Sequence, residues 1–395
     1  MTETIEGRGC QIKEYAIGTL VYARLPLFDP KLDSIVRVEA IKLRNRLAEY
    51  YKQDGSADAL VICLPKGGYL PEFHSRGRPL VSGRAGASQI AELCDVGSLA
   101  LMRRTPASIA VATSCYVHAR TLNPTDVRPH LGLATSYTAS LDIESASPVE
   151  VAAEFQTCIS QGLRLNESSG EPHVLASLWH ATVEGAGENA TEELVRAMRL
   201  EPQNPVAHFW ASGLLSAQGA HDASLDHFKQ AIRAVPDCAL IRAYLGRALY
   251  YAGRNREALA VLQDEQCIDP ALAVGHLWTA LARTELDQHD EAIQAALEAV
   301  RLSETSATLS TCAYVLARGA RCEEAEGIFN GLTENPPYGY VSPLQLAVIA
   351  EALGKGEEAA MYFHNARRGN AWALLWRDVD PRLKRLKSNM LRRES

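Results

Sequence analysis

The residues best suited to do chemistry lie on one predicted basic helix near the N-terminus. Its basic positions are Arg37, Lys42, Arg44, Arg46 and Lys52. Only Glu39 and Glu49 offset them, so the helix carries about +3 in a chain whose formal net charge is −7. A basic helix face attracts nucleic-acid phosphates, and it equally forms an ordinary solvated surface. The segment therefore points to binding chemistry rather than to catalysis.

Motifs for catalysis are absent from the sequence. We find no phosphate-binding loop, no G-x-S-x-G nucleophile turn and no H-E-x-x-H zinc motif. The nine cysteines form no C-x-x-C pair and the eleven histidines are dispersed. We therefore expect reduced thiols, no metal site and no cofactor, and we predict that the protein is not an enzyme.

Two predicted elements position the basic residues. Asp33 or Ser34 can cap the basic helix. Its apolar stripe is predicted to pack inward and consists of Val36, Ala40, Leu43, Leu47 and Tyr50. After the helix, residues 59–64 and 69–73 flank a Pro-Lys-Gly-Gly turn, which predicts a β-hairpin with Lys66 at its tip. With a short helix predicted over 11–22, the order is that of a winged helix-turn-helix.

Several segments also resemble a known class of regulators. Residues 38–47 and 62–69 resemble the recognition helix and wing of bacterial response-regulator effector domains. Similarity to bacterial regulators that join a winged helix to tetratricopeptide repeats extends over 13–15, 28–30, 33–39, 64–69, 340–343 and 379–382. The resemblance implies a DNA-binding module fused to a protein-interaction array. The first helix of that module would precede Gly7, so we expect a truncated version of the fold.

The resemblance also implies roles for individual residues. In such folds the long helix enters the major groove, and its exposed N-terminal half faces the bases. The positions expected there are Ser34, Arg37, Val38, Ile41, Lys42 and Asn45. Arg44 and Arg46 would flank the groove toward phosphates, and Lys66 would reach the backbone or minor groove. The alternative is that this small module caps the repeats or forms a homodimer without binding DNA.

Most of the chain repeats with a period of 34 residues. Pro202, Pro236 and Pro270 stand 34 residues apart, and Gly219 and Gly253 keep the same step. A small residue recurs at Ala190, Ser224, Ala258 and Ala292, with a large one four positions later at Leu194, Phe228 and Leu262. This period predicts tetratricopeptide repeats, in which two helices stack and a proline ends the second.

The predicted fold is mostly α: an α-solenoid of tetratricopeptide repeats with a small N-terminal winged-helix (α+β) module. We assign residues 1–76 to the module and 77–86 to a linker. Residues 87–369 form the array of about eight helix pairs, clearest over 171–304, with an insertion at 142–148. Residues 370–395 are predicted to be a solvated capping helix with a basic tail, and a second nucleic-acid contact is the alternative.

The first helices of such an array line a concave groove that commonly binds a peptide. The residues predicted near it are Trp210, Tyr244, Arg247, Tyr251, Trp278 and Glu285. Buried packing between helices is the alternative for each of them. Tyr244, Arg247 and Tyr251 are the strongest candidates, because aromatic and arginine side chains dominate interface hot spots.

These patterns together predict a cytoplasmic regulator. Its winged helix would bind double-stranded DNA and its repeats would bind a protein partner or mediate homo-oligomerisation. The alternative is a pure interaction scaffold with a non-DNA-binding N-terminal cap. Apolar runs such as 96–102 fall far short of the roughly 18 residues that cross a bilayer, so no membrane contact is expected.

Overall fold

A computed structural model describes residues 35–53, 55, 60–64, 72–75, 84–181, 187–368 and 375–394. The chain divides into two compact units, residues 1–92 and 93–395. None of the described helices is long and apolar enough to cross a lipid bilayer.

The described part of the N-terminal unit begins with a helix and a hairpin. Helix α1 spans Ile35–Tyr50, strand β1 spans Leu60–Cys63 and strand β2 spans Glu72–Ser75. The strands pair antiparallel, with Leu60 opposite Ser75. The two paired strands agree with the expected hairpin, and the turn between them lies outside the described residues.

Two hydrogen bonds hold α1 against the hairpin. The Arg44 Nε donates to the Leu64 carbonyl at 3.0 Å, and the Ile62 amide donates to the Tyr51 hydroxyl at 2.9 Å. The predicted helix at 11–22, the caps at 33–34 and the wing-tip Lys66 lie outside the described residues. The winged helix-turn-helix therefore stays a prediction.

The buried face of α1 differs from the predicted stripe. Val36 and Ala40 are buried as expected, but Leu43 and Tyr50 expose 48% and 45% of their surface. Arg44, the residue that follows Leu43, donates to the hairpin instead. The prediction is therefore wrong for the C-terminal half of the stripe.

Helix α2 (Arg84–Leu101) crosses the boundary between the two units. Helix α3 (Pro106–Leu122) packs against the helix that follows it, α4 (Val127–Asp142). The described part of the second unit then forms seven helix pairs. The first three pairs are α4 with α5 (Pro148–Leu165), α6 (Gly170–Trp179) with α7 (Gly187–Leu200), and α8 (Pro205–Ala217) with α9 (His221–Ala234). The last four are α10 (Ala239–Tyr251) with α11 (Asn255–Ile268), α12 (Ala273–Thr284) with α13 (His289–Leu302), α14 (Ser306–Arg318) with α15 (Cys322–Glu334), and α16 (Pro343–Ala352) with α17 (Gly356–Arg368). A final helix, α18, spans Pro381–Glu394. From α4 onward, the first helix of each pair packs against the first helix of the next.

The repeated small and large residues form the packing between helices. Ala190, Ser224, Ala258 and Ala292 are fully buried, as the period predicted. The large residues Phe228 and Leu262 fill the adjacent space and are almost completely buried. Each phased proline stands two residues after a helix end, where a missing amide donor costs no helical hydrogen bond.

The turn between the two helices of a pair needs a left-handed residue. Gly219, Gly253, Asp287, Ala320 and Gly354 occupy this position and have φ values between 57° and 78°. Glycine adopts this conformation without steric cost, whereas a side chain at Cβ is crowded by its own backbone. This requirement explains the glycines that recur with the repeat period.

Exchanging the residues at this turn should change stability in opposite directions. Gly253→Ala is expected to lower the free energy of unfolding by about 1 kcal/mol, and Ala320→Gly to raise it by a similar amount. No atom lies within 4 Å of a Cβ at Gly253, so the effect comes from the backbone. Urea denaturation measures both. Gly327→Ala inside α15 is the control, since alanine there should stabilise the helix. If both Gly253→Ala and Gly327→Ala lowered the free energy of unfolding, the left-handed turn would not be the cause.

Candidate functional site

The array curves so that the end of α4 reaches later pairs across its inner side. At the end of α4, Asp142 accepts hydrogen bonds from the Tyr244 hydroxyl and from the Arg247 guanidinium on α10, the latter at 3.3 Å. Two residues later, Glu144 accepts from the Ser342 amide at 3.4 Å, just before α16. The insertion predicted at 142–148 therefore forms a bridge across the inner side of the array.

Burial shifts the pKa values of two side chains at this bridge. Glu144 is buried, and this burial raises the pKa of its carboxyl to about 7. The Arg247 guanidinium is also buried, which lowers its pKa, while the nearby Asp142 carboxylate opposes that shift. The bridge thus places charged groups where water is largely excluded.

Residues 375–394, here called the C-terminal segment, lie on the first helices of the array. The ring of Trp376 stacks on Tyr251, with ring centroids 6.3 Å apart and planes 21° apart. The Arg247 guanidinium lies 4.8 Å from the centroid of the Trp376 ring. Leu383 and Leu386 of α18 are buried in the same hydrophobic core. The expectation of a solvated C-terminal helix is therefore wrong for this face.

Polar side chains of the C-terminal segment pair with the same helices. Arg385 donates to the Glu285 carboxylate at 2.9 Å and to the Tyr314 hydroxyl at 2.6 Å. Asn389 donates to Glu351 at 2.7 Å. Together with the apolar contacts, these bonds connect the segment to α10, α14 and α16 and to the end of α12.

The structure brings together most of the residues predicted for the groove. Tyr244, Arg247, Tyr251 and Trp278 are all buried around Asp142 and the C-terminal segment. Glu285 binds that segment through Arg385. Trp210 instead packs edge-on against Phe209, with centroids 4.9 Å apart, in the core between helices. Whether any of them contacts a partner stays a prediction.

Sequence reasoning missed the inner partners of these residues. Asp142 carried no motif, because its partners on α10 lie more than 100 residues away. Trp376 lies beyond the predicted repeats, in the segment expected to be solvated. Its spacing with Val379, Leu383 and Leu386 follows an amphipathic pattern, which was the available signal for a buried face.

A cavity of about 90 Å³ lies where the bridge and the C-terminal segment meet. Its polar lining includes Arg104, Asp142, Glu144, Arg247 and Arg382. Within the described residues, no group of three or more His, Cys, Asp or Glu side chains could hold a metal ion.

Comparison with known proteins supports the assignment of the repeats. Over 97 residues, 25% of this chain, the sequence is 31% identical to small glutamine-rich tetratricopeptide repeat-containing protein 2 of Mycosarcoma maydis. The match spans only 28% of that protein. Over these residues the chain is similar to a tetratricopeptide repeat protein, and its period of 34 residues and its stacked helix pairs are those of such repeats. No protein-family model matches it.

Two solved structures share the fold of the tetratricopeptide array. The APC/C hetero-tetramer Cut9–Hcn1 has a TM-score of 0.53 at 13% identity, covering 78% of this chain and 57% of that one. The human IFIT1 dimer with m7Gppp-AAAA has a TM-score of 0.52 at 16% identity, covering 71% and 72%. At these identities the likeness establishes the fold alone.

Proposed function

We propose that the array is an interaction scaffold whose inner surface binds a basic, amphipathic segment of a protein partner. The observation that carries this proposal is the C-terminal segment itself. It occupies the inner surface through an aromatic anchor, Trp376, followed by a helix that combines buried leucines with a paired arginine. It therefore acts as a ligand in cis and indicates the chemistry of a ligand in trans.

Charge favours this choice of partner. Residues 87–368 hold 34 acidic and 20 basic side chains, whereas the C-terminal segment holds seven basic and three acidic ones. Glu285 is an acidic contact of the segment, and only 13% of its side chain is exposed. A basic partner is therefore attracted by the array as a whole and bound at specific acids.

Because the C-terminal segment is covalently linked to the array, it competes with a protein partner for the inner surface. A segment joined by a short linker acts at an effective concentration in the millimolar range, so a partner must displace it. Removing the Trp376 side chain should weaken binding of the C-terminal segment to the array more than removing an exposed side chain of that segment does. Buried aromatic anchors carry most of the binding energy of an interface.

A labelled peptide of residues 375–394 tests the proposal by fluorescence anisotropy. We expect it to bind full-length Trp376→Ala at least tenfold more tightly than the unchanged chain, because the altered cis segment no longer competes. Leu391→Ala is the control, since Leu391 is 68% exposed and should leave binding unchanged. Equal, weak binding to all three proteins would contradict the proposal.

Charge reversal tests the register of the peptide. In the Trp376→Ala background, Glu285→Arg should weaken peptide binding by about tenfold, because it removes the acceptor of Arg385 and adds a like charge. A peptide with Arg385→Glu should recover the loss. If both peptides bind the Glu285→Arg protein equally well, the peptide does not dock as the C-terminal segment does.

DNA binding by the N-terminal unit is the second candidate function. Arg37, Asn45 and Arg46 are exposed on α1, and Lys42 is exposed although paired with Glu39 at 2.6 Å. The test is anisotropy of mixed-sequence duplex DNA at several salt concentrations, with Lys42→Glu, Arg46→Glu as the variant. Salt-sensitive binding that the variant loses would support this function, and binding that the variant keeps would refute it.

A further inference from the structure

The C-terminal segment carries a buried ion pair between two of its own residues. Asp380 and Arg382 are 3% and 7% exposed. The Arg382 guanidinium donates to the Asp380 carboxylate from Nε at 3.1 Å and from Nη2 at 2.8 Å. Burial acts to lower the pKa of this guanidinium, but the Asp380 carboxylate outweighs that effect and raises it. The segment therefore brings the counter-ion that its buried arginine requires.

Hydrogen bonds within the segment hold this ion pair at the start of α18. The Asp380 carboxylate accepts from the Arg382 amide at 2.9 Å, and the Asp380 carbonyl accepts from the Lys384 amide at 3.0 Å, so Asp380 caps the helix. Pro381 follows at the first helical position, where no amide donor is needed. The Trp376 carbonyl accepts from the Asp380 amide at 2.9 Å, which links the aromatic anchor to the cap. Residues 380–382 are here called the Asp-Pro-Arg turn.

The array contributes weaker contacts to the same arginine. Gln345 on α16 accepts from the Arg382 Nη1 at 3.3 Å. The Arg382 guanidinium lies 5.9 Å from the centroid of the Tyr314 ring on α14. Glu144 also interacts electrostatically with Arg382, but burial raises the pKa of its carboxyl to about 7, so it is only partly ionised at neutral pH. The array thus offers a neutral acceptor and a ring, while the full negative charge comes from Asp380.

We propose that the inner surface selects protein partners whose docking segment carries an aromatic anchor and, four residues later, an Asp-Pro-Arg turn. This inference rests on the proposed function and names the feature by which that site recognises its partner. The partner supplies the aspartate itself, because a buried guanidinium without a counter-ion is strongly unfavourable. The order of charges in the partner therefore matters as well as its net positive charge.

Exchanging the two charges tests this proposal without changing the net charge. Two labelled peptides of residues 375–394, one unchanged and one with Asp380→Arg and Arg382→Asp, are titrated with full-length Trp376→Ala by fluorescence anisotropy. We expect the exchanged peptide to bind about tenfold more weakly, because the exchange removes the helix cap and places an acid beside Glu144. Equal binding of both peptides would overturn this inference and leave the groove function standing. Failure of the unchanged peptide to bind would overturn both.

Single substitutions in the peptide separate the ion pair from general charge. Asp380→Asn should weaken binding to the same protein by about tenfold, because Arg382 is then buried without its counter-ion. Asp378→Asn is the matched control: it removes the same charge from a side chain that is 66% exposed and should change binding little. Adding Gln345→Glu to the Trp376→Ala protein should restore binding of the Asp380→Asn peptide, since the array then supplies the acid. Equal effects of Asp378→Asn and Asp380→Asn would overturn the inference.

Discussion

Replacing Asp142 with alanine is expected to lower the free energy of unfolding by about 3–5 kcal/mol. The change removes the carboxylate that pairs with buried Arg247 and accepts from Tyr244. An uncompensated guanidinium would then remain in a site from which water is excluded, and that is where removing one ion-pair partner costs most. Urea denaturation of the full chain measures the loss.

Two further variants distinguish the stability effect of this buried ion pair from that of an exposed ion pair. Asp226→Ala breaks an exposed pair with Lys229 and should cost far less stability, because solvent screens exposed ion pairs. Adding Arg247→Met to Asp142→Ala should restore part of the stability, since the orphaned charge is removed with its partner. Equal losses for Asp142→Ala and Asp226→Ala would show that the bridge does not hold the array together.

Replacing Glu265 with glutamine should stabilise the protein by about 3 kcal/mol at pH 7. Glu265 on α11 is fully buried, and neither carboxylate oxygen has a hydrogen-bond partner. Burial, with a smaller contribution from Asp269, raises the pKa of its carboxyl from 4.5 to about 8. The unfolded chain therefore loses this proton at lower pH than the folded chain does.

The sign of the pH dependence follows from that difference. Between about pH 4.5 and pH 8 the unfolded state binds fewer protons, so this carboxyl makes stability fall as pH rises. Glutamine does not titrate, so the gain from Glu265→Gln should be absent at pH 4 and grow to its full size near pH 8. Asp264→Asn, at the exposed neighbouring position, should show no such growth. A gain independent of pH would contradict the explanation.

The helix pairs could be predicted from sequence because their determinants are local. A small residue such as Ala258, a large residue such as Leu262 and a proline such as Pro270 act within one repeat or between adjacent repeats. The left-handed turn at Gly253 is equally local. The residues of each repeat therefore determine the geometry of that repeat.

The inner contacts could not be predicted in the same way. The pairing of Asp142 with Arg247 depends on the curvature that accumulates over several repeats. The sequence of a single repeat does not predict the small rotation between neighbouring repeats that produces this curvature. The sequence identifies aromatic and charged residues for the groove, but it does not predict that they contact Asp142 and the C-terminal segment.

Cleaving the covalent tether of the C-terminal segment tests the central claim most directly. A protease site inserted between Arg368 and Leu375 allows the folded chain to be cut, after which gel filtration at micromolar concentration reports whether the segment remains bound. We predict that it co-elutes with the array, exchanges with labelled peptide 375–394, and is released when Trp376→Ala is present. Release of the unaltered segment immediately after cleavage would show that the inner surface does not bind it.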